Sequence, residues 1–226
     1  MTTVTAIVLS YARPRMLREA LATVAANRPD EAILVDDGSA FDAVGVALEY
    51  ADLAAWVAAP PLTVAERLVT PRLGSLINRA IAVATGDVIA YLCDDDLLAP
   101  GWLDAVRAHW DAHPAATLVR GEWRVFRDGE AVSAANPVCP LDGRGMTTGN
   151  FAHRRTCGAR WPEDTIASHD DLFLWNLHRQ GVDTFAVPCV GCAGWRREHQ
   201  FNALHHAVAH GYGPTGEAFL SRGWLE

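Results

Sequence analysis

In the first half of the chain, short apolar runs alternate with segments whose apolar residues recur at the spacing of one helix face. The runs predict β-strands, and the periodic segments predict helices that cross from one strand to the next. The predicted strands cover residues 4–9, 32–35 and 88–92, and the predicted helices begin at residues 14, 73 and 100. This alternation is typical of an α/β fold with a parallel sheet.

The pattern changes after Pro114, which is expected to end the helix that begins at residue 100. The second half predicts strands over residues 117–126, 147–153 and 184–190, a hairpin turn at Asp128-Gly129, a Pro/Gly loop over residues 136–145, a helix over residues 169–180 and a C-terminal arm around residues 211–216. We expect one continuous domain made of two halves, residues 1–115 and 116–226.

Acidic residues directly follow two of the predicted strands. Asp36 and Asp37 come after the second strand, and Asp94, Asp95 and Asp96 come after the third. Because ligands bind beyond the carboxyl ends of parallel strands, we expect these carboxylates to converge if both strands share a sheet. Such a cluster needs raised pKa values or a cation, and Mg²⁺ and Mn²⁺ prefer oxygen ligands. The alternative is that these are solvated acids of ordinary turns.

The charged residues exclude several classes of protein. The chain has 226 residues, with 27 acidic side chains against 19 basic ones, and every basic residue is an arginine. Without lysine, a Walker-type phosphate loop, a Schiff-base enzyme, a receiver domain and a haloacid-dehalogenase phosphatase all lack an essential amine. The formal charge of −8 argues against affinity built on many phosphates, so we expect no stable binding of nucleic acid.

The chain shows no apolar run long enough for a transmembrane segment and no secretion signal. We therefore expect a soluble, cytoplasmic protein whose five cysteines are reduced. The turn after the first predicted strand reads Ser10-Tyr11-Ala12-Arg13-Pro14 and lacks the glycines of a dinucleotide-binding dehydrogenase. Eight tryptophans in a short chain lead us to expect enough exposed apolar surface for a homodimer.

Four motifs resemble, in order and spacing, those of family 2 glycosyltransferases. They are residues 5–14 (TAIVLSYARP), 33–39 (ILVDDGS), 72–78 (RLGSLIN) and 86–96 (GDVIAYLCDDD). The resemblance implies a GT-A fold, a Rossmann-like α/β architecture with a mostly parallel central sheet flanked by helices. It also implies that the first half binds a nucleotide sugar, whereas the second half binds the acceptor and carries the catalytic base.

The implied activity is metal-dependent transfer of a sugar, with inversion, from a nucleotide-diphosphate donor to a hydroxyl acceptor. A UDP-sugar is the preferred donor because the base-binding residues resemble those of uridine-binding relatives. The sugar is not readable from the sequence, and a saccharide, a lipid carrier, a protein and a modified base all stay open as acceptors. The alternative function is a non-catalytic or zinc-stabilised module that binds nucleotide or glycan.

The resemblance assigns the donor site to residues near the predicted strand ends. Tyr11 is expected to stack on the base, Asp37 to accept a hydrogen bond from it, and Arg72 to reach the base or the phosphates. The whole donor-binding set is Leu9, Ser10, Tyr11, Arg13, Asp37, Arg72 and Asp94. The alternatives are a surface helix-cap role for Arg72 and a structural role for Arg13.

Relatives usually bear an Asp-x-Asp metal motif, and this chain departs from it because Cys93 occupies the first position. Other relatives carry Asp-Asp-x, which matches Asp94 and Asp95. We therefore expect Asp95 to be the main ligand of Mn²⁺ or Mg²⁺, with Asp96 as a second ligand. His199, in a segment that resembles a loop closing over the diphosphate, is a further candidate ligand.

The catalytic base is expected in an acid pair at the start of the predicted helix over residues 169–180. Asp170 and Asp171 stand directly before Leu-Phe-Leu-Trp, where relatives keep such a pair. The resemblance ranks Asp170 slightly ahead of Asp171. The alternative is that these carboxylates cap the helix.

A competing signal points to zinc. Cys189, Cys192, His205 and His210 have the spacing C-x2-C-x12-H-x4-H, which satisfies a zinc-finger pattern. The apolar residues that a finger packs between its ligands are out of their usual places here. Under the transferase interpretation, both cysteines end the last strand, and structural zinc stays the alternative.

Overall fold

The computed structural model describes residues 1–50, 52–67, 69–127, 130–134, 148–158, 160–165, 173 and 184–195. Its strands are β1 Val4–Ser10, β2 Glu31–Asp36, β3 Leu53–Ala58, β4 Val88–Cys93, β5 Asp96–Leu98, β6 Leu118–Arg127, β7 Glu130–Ala134, β8 Phe151–Arg154 and β9 Thr184–Trp195. Its helices are α1 Pro14–Asn27, α2 Ala43–Leu48, α3 Val64–Arg67, α4 Leu73–Val83 and α5 Trp102–Ala112, with a 3₁₀ turn at Thr148–Asn150.

The strands form one mixed sheet in the order β3-β2-β1-β4-β8-β6-β9-β5, with β7 paired to β6. The neighbours β3, β2, β1 and β4 are all parallel, which requires a crossover connection between each successive pair. β8 pairs antiparallel with both β4 and β6, and β6 and β9 run parallel. The α/β architecture expected from the alternating pattern is confirmed.

The register of the parallel strands aligns the ends at which the acids lie. Ser10, the last residue of β1, pairs with Asp36 on β2, and Leu9 pairs with Cys93 on β4. Both acidic turns therefore flank the carboxyl end of β1, where ligands of open parallel sheets bind. The expectation that the two groups of acids share one sheet edge is confirmed.

Helices cover both faces of the parallel strands, which explains why all seven residues of β1 are buried. On one face, α1 contributes Leu21 and α5 contributes Trp102 to a core that includes Val8. On the other face, α4 contributes Ile77 to a second core that includes Ile7. Leu21 and Ile77 lie on the helical faces that the apolar periodicity predicts.

The second core contains a cluster of buried aromatic rings, formed by Tyr91, Phe151, His153, Trp161 and Phe173. Trp161 Nε1 donates to Tyr91 Oη at 3.0 Å, and Tyr91 Oη lies 2.6 Å from His153 Nε2. His153 Nδ1 lies 2.8 Å from the carbonyl oxygen of the following residue. The buried polar atoms of this cluster are therefore hydrogen-bonded, as buried polar groups must be.

Several elements differ from those that the hydrophobic pattern predicts. The sequence did not predict α2, β3, α3, β5 or β7. β3 is apolar throughout, but three of its six residues are alanine, which favours strands only weakly, and it is an edge strand whose Trp56 is 59% exposed. The strand predicted over residues 147–153 is instead the 3₁₀ turn followed by the shorter β8. β9 runs to Trp195, so the interpretation that Cys189 and Cys192 end the last strand is wrong.

Other predictions fall outside the described residues. These are the hairpin turn at Asp128-Gly129, the loop over residues 136–145, the C-terminal arm and the helix over residues 169–180 apart from Phe173. The strands on either side of the hairpin turn, β6 and β7, do pair antiparallel. Within the part of the chain that the structure describes, no helix combines the length and apolar character that a bilayer crossing needs.

The buried imidazole predicts a pH-dependent stability. Burial lowers the pKa of His153 to about 4, so the folded protein cannot take up the proton that the unfolded chain binds below about pH 6.5. The contribution of neutral His153 is complete above that pH and is lost as the pH falls toward 4. Between pH 7 and pH 4, we expect the free energy of unfolding of His153→Gln to fall by about 3 kcal/mol less than that of the wild-type protein.

Urea unfolding at a series of pH values measures this difference. His113→Gln, which removes an exposed imidazole, is the control, and its pH slope should stay closer to that of the wild-type protein than the slope of His153→Gln does. Equal slopes for His153→Gln and the wild-type protein would show that His153 does not carry the acid sensitivity.

Candidate functional site

Two turns at the end of β1 are tied to that strand by backbone hydrogen bonds. The Asp37 N–H donates to the Ser10 carbonyl at 2.9 Å, and the Asp94 N–H donates to the Leu9 carbonyl at 2.8 Å. Leu9 and Ser10, both expected to bind the donor, therefore use their carbonyl groups to position the two acidic turns. The parallel pairing of β1 with both neighbours brings these turns together.

The loop after β2 is shaped by Asp36 and Ser39. The Asp36 carboxylate accepts hydrogen bonds from the Ser39 N–H at 3.1 Å and from Ser39 Oγ at 2.5 Å. Ser39 Oγ in turn accepts from the Ala12 N–H at 3.1 Å, which joins this loop to the one after β1. Gly38 has a φ of +81°, and a Cβ there would lie 2.7 Å from the Pro60 carbonyl oxygen. Asp36 is thus a loop-forming residue.

Asp37 is held between two arginines. Arg72 Nε donates to Asp37 Oδ1 at 2.5 Å, and Arg72 Nη2 donates to the Asp37 carbonyl at 2.7 Å. Arg67 pairs with Asp37 Oδ2 and donates from Nη1 to the same carbonyl at 2.8 Å. Asp37 and Arg67 are both buried, and Arg72 is largely so. The contact between Asp37 and Arg72, both predicted donor-binding residues, is a fork of charge-assisted hydrogen bonds.

Arg67 also contacts Tyr11, the residue expected to stack on a base. The Arg67 Cζ lies 3.4 Å from the centroid of the Tyr11 ring, which is cation–π geometry. Tyr11 is half-buried. Arg67 therefore links the aromatic ring after β1 to the carboxylate after β2, and three side chains from separate parts of the sequence form one unit.

Sequence reasoning missed Arg67. Its position depends on α3, a helix of four residues that gives no periodic signal. A local signal does exist, because Thr63 and Glu66 form a capping box: the Thr63 N–H donates to Glu66 Oε2 at 2.9 Å, and the Glu66 N–H donates to Thr63 Oγ1 at 3.3 Å. That signal predicts the start of a helix but not the partners of Arg67.

Arg13 bridges the first two carboxylates of the turn after β4. Its Nη2 lies 2.5 Å from Asp94 Oδ1, and its Nη1 lies 2.5 Å from Asp95 Oδ2. Asp94 Oδ2 accepts the Tyr11 N–H at 2.8 Å. Burial raises the pKa of Asp94, which Arg13 opposes and the charge of Asp95 reinforces. Burial also opposes the charge on Arg13, but both carboxylates outweigh it and raise the pKa of Arg13. Arg13 therefore holds the loop after β1 against the turn after β4.

Three side chains that can act as metal ligands lie around the same turn. One ligand atom from each of Cys93, Asp95 and Asp96 can be chosen so that all three lie within 4.8 Å of one another. Asp95 is buried, and the other two are half-buried. Burial, together with the charges of the three neighbouring aspartates, raises the pKa of the Cys93 thiol well above its usual range. This spacing and donor set fit a single divalent cation, and Asp95 and Asp96 are the two ligands that the sequence predicts.

The remaining predicted residues lie outside the described part of the chain. They are the acid pair Asp170 and Asp171, the candidate ligand His199, and the candidate zinc ligands His205 and His210. Phe173, two residues after Asp171, is described: it is fully buried in the aromatic cluster, with its ring 4.8 Å from that of Trp161 between centroids.

The sequence pattern of the family described as glycosyl transferase family 2 matches residues 5–136, more than half of the chain. The chain belongs to this family. The matched residues contain both acidic turns, Tyr11, Arg13 and the two arginines on Asp37. The resemblance drawn from the four sequence motifs is therefore confirmed.

The chain is also similar to a curated relative and to two solved structures. Protein CgeD of Bacillus subtilis is 28% identical over 191 residues, which cover 76% of this chain and 45% of CgeD. S. aureus TarS residues 1–349 in complex with UDP-GlcNAc aligns with a TM-score of 0.69 at 16% identity, covering 92% of this chain and 67% of that one. Glucosyl-3-phosphoglycerate synthase from Mycobacterium tuberculosis, in complex with Mn²⁺, UDP and phosphoglyceric acid, aligns with a TM-score of 0.58 at 17% identity, covering 97% and 77%.

These similarities confirm the GT-A fold. The chain spans less than half the length of CgeD and 40% of the longer TarS chain. The relatives therefore carry residues that have no counterpart in this alignment.

The charge balance around Asp37 predicts a large effect of a small substitution. Asp37→Asn removes the carboxylate charge while keeping the size of the side chain, so Arg67 and Arg72 lose their counter-ion in a buried place. We expect the free energy of unfolding to fall by about 3 kcal/mol. Asp52→Asn is the matched control, since Asp52 is exposed and its loss of charge should change stability by less than about 0.5 kcal/mol.

Urea unfolding followed by circular dichroism measures both changes. Similar stabilities for the two variants would contradict the assignment of Asp37 as the counter-ion that holds both arginines in place.

Proposed function

We propose that this protein is a metal-dependent, inverting glycosyltransferase that moves a sugar from a UDP-sugar to a hydroxyl acceptor. The observation that carries the proposal is the convergence, at the end of β1, of Tyr11 with Asp37 and its arginines on one side and the acidic turn after β4 on the other. Family membership and the UDP complexes of the structural neighbours support the same activity.

The base of the donor is proposed to bind between Tyr11 and Asp37. Arg67 covers one face of the Tyr11 ring, so the base would stack on the opposite face. The Asp37 carboxylate has about four lone-pair sites, so it can accept a hydrogen bond from a ring N–H of the base while it holds both arginines. Arg72, which pairs with Asp37, is proposed to contact the base or a phosphate of the bound donor.

Asp95 and Asp96 are proposed to hold Mn²⁺ or Mg²⁺, with His199 as a further ligand. A bound divalent cation supplies positive charge for the diphosphate that leaves. Two structural neighbours are complexes of UDP with Mn²⁺ or Mg²⁺, which supports this choice of cation. Asp94, which pairs with Arg13 and accepts the Tyr11 N–H, is proposed to contact the ribose of the donor.

Asp170 or Asp171 is proposed to be the base that takes the proton of the acceptor hydroxyl. Attack by that oxygen from the side opposite the leaving diphosphate inverts the anomeric carbon. Phe173, two residues after Asp171 in the sequence, packs in the aromatic cluster with Phe151 and Trp161. The second half, residues 116–226, is proposed to bind the acceptor.

Donor binding is the first test. In the presence of Mn²⁺, a UDP-sugar at about one hundred times the Kd of that sugar donor should stabilise the fold by about 2.7 kcal/mol. The melting temperature should rise by about 5–10 °C. Asp95→Asn should remove the part of this shift that needs Mn²⁺, because it loses a charged oxygen ligand. Asp52→Asn should keep the full shift.

A thermal scan with a panel of nucleotide sugars, followed by mass detection of the transferred sugar, identifies the donor. No shift with any donor, together with one tightly held zinc per chain, would replace the transferase with the zinc-stabilised module.

The acid pair gives a second test. Asp170→Asn and Asp171→Asn each remove one candidate base and leave the donor site intact. The variant that lacks the base should release UDP from the donor about 10²–10⁴ times more slowly, with the same donor-induced shift in melting temperature. The other variant serves as the matched control. If both variants release UDP at the wild-type rate, the base lies elsewhere. If a donor raises the melting temperature of the wild-type protein but no UDP is released, the protein is a module that binds without catalysis.

A further inference from the structure

We propose that Cys93 is a ligand of the divalent cation, so that the metal centre of this chain is a mixed set of one sulfur and two carboxylates, Cys93, Asp95 and Asp96. This inference rests on the proposed function, because it concerns the cation that the donor diphosphate requires. Its consequence is a changed metal preference: the centre binds Co²⁺ and Cd²⁺ with a metal–sulfur bond and more tightly than Mg²⁺.

The backbone explains why these three residues meet. Cys93 is the last residue of β4, Asp96 is the first residue of β5, and only Asp94 and Asp95 lie between them. Residues at the first and fourth positions of so tight a turn have Cα atoms less than about 7 Å apart. Their ligand atoms, with one from Asp95, lie within 4.8 Å of one another. Ligands of one tetrahedral cation with metal–ligand bonds of about 2.0–2.3 Å are about 3.3–3.7 Å apart, so the three side chains would close by about 1 Å around a shared ion.

The contacts of Asp94 explain why the thiol and not this carboxylate completes the set. Asp94 Oδ1 pairs with Arg13 at 2.5 Å, and Asp94 Oδ2 accepts the Tyr11 N–H at 2.8 Å. Its carboxylate is therefore directed toward Arg13 and the loop after β1, and it is not part of the three-donor group. Asp95 Oδ2 pairs with Arg13, yet Asp95 still belongs to the three-donor group with Cys93 and Asp96.

The chemistry of sulfur then sets the preference among cations. Thiolate ligands favour soft or borderline metals, whereas Mg²⁺ binds oxygen almost exclusively. When the sulfur binds the metal, the S–H bond breaks and the proton leaves to solvent, with no change in oxidation state. The cysteine at this position therefore distinguishes this chain from relatives that carry an all-oxygen motif.

Titration of the purified protein with Co²⁺, followed by absorption spectroscopy, detects the sulfur directly, because a cobalt–thiolate bond gives a charge-transfer band that oxygen ligands do not. The wild-type protein should show this band at one Co²⁺ per chain. Cys93→Ser should lose it, and so should Cys93→Asp, which restores an all-oxygen set. Cd²⁺ affinity should fall at least about tenfold in both variants, whereas Mn²⁺ affinity should be kept in Cys93→Asp.

The other thiols provide the controls. Cys157→Ser should keep the band, because Cys157 does not belong to the three-donor group. The double variant Cys189→Ser/Cys192→Ser tests the alternative zinc pattern, and under this proposal it should keep the band as well. Circular dichroism confirms that each variant is folded, and Cys93→Asp keeps the test decisive if Cys93→Ser does not fold. A band that persists without Cys93, or wild-type protein that binds Co²⁺ without a band, or no Co²⁺ binding at all, would overturn the proposal.

Calorimetry with UDP separates this proposal from the proposed function. If UDP binds in the presence of Mn²⁺ but the band is absent or independent of Cys93, the transferase function stands and the sulfur ligand is wrong. If the Cys93-dependent band is present but UDP binds with none of Mg²⁺, Mn²⁺ or Co²⁺, the metal centre stands and the function is wrong.

Discussion

Mutual repulsion among carboxylates is the constraint that the rest of the site must satisfy. Parallel pairing brings five aspartates to one end of the sheet, and the described arginines around them neutralise three: Arg13 pairs with Asp94 and Asp95, and Arg67 and Arg72 pair with Asp37. Asp36 is satisfied by hydrogen bonds from Ser39. Arginine suits this task because its planar guanidinium binds two acceptors at once, whereas an ammonium group acts as a point charge. A chain without lysine can therefore still build a compact acidic site.

The same ion pairs give the site its shape before any ligand is present. Arg67 joins Tyr11 to Asp37, Arg13 joins the loop after β1 to the turn after β4, and Ser39 joins the loops after β1 and β2. Groups that are already ordered lose less conformational entropy when a ligand binds. Breaking one pair leaves a buried charge without its partner, so each contact contributes to stability as well as to geometry.

The parts of the fold that the sequence predicts are those in which local pattern and tertiary burial agree. β1, β2 and β4 are buried on both faces, so each reads as a short continuous apolar run, and the acids directly after β2 and β4 indicate the edge at which a ligand binds. β3 is an apolar run, but half of it is alanine, which favours strands only weakly, and α3 has four residues, too few to show a helical period. The role of Arg67 depends on Asp37, thirty residues earlier, and no local signal contains such a contact.

The antiparallel pairing of β4 with β8 has a consequence for how the protein divides. β8 comes from the second half of the chain, and it covers the side of β4 that faces away from β1. A fragment that ended near residue 115 would keep most of the residues around Tyr11 and Asp37, yet it would present β4 as a bare, apolar sheet edge. Such edges recruit strands from other molecules and lead to aggregation. β8 therefore covers an edge of the first half of the chain that would otherwise be open, and we expect a protein cut near residue 115 to aggregate.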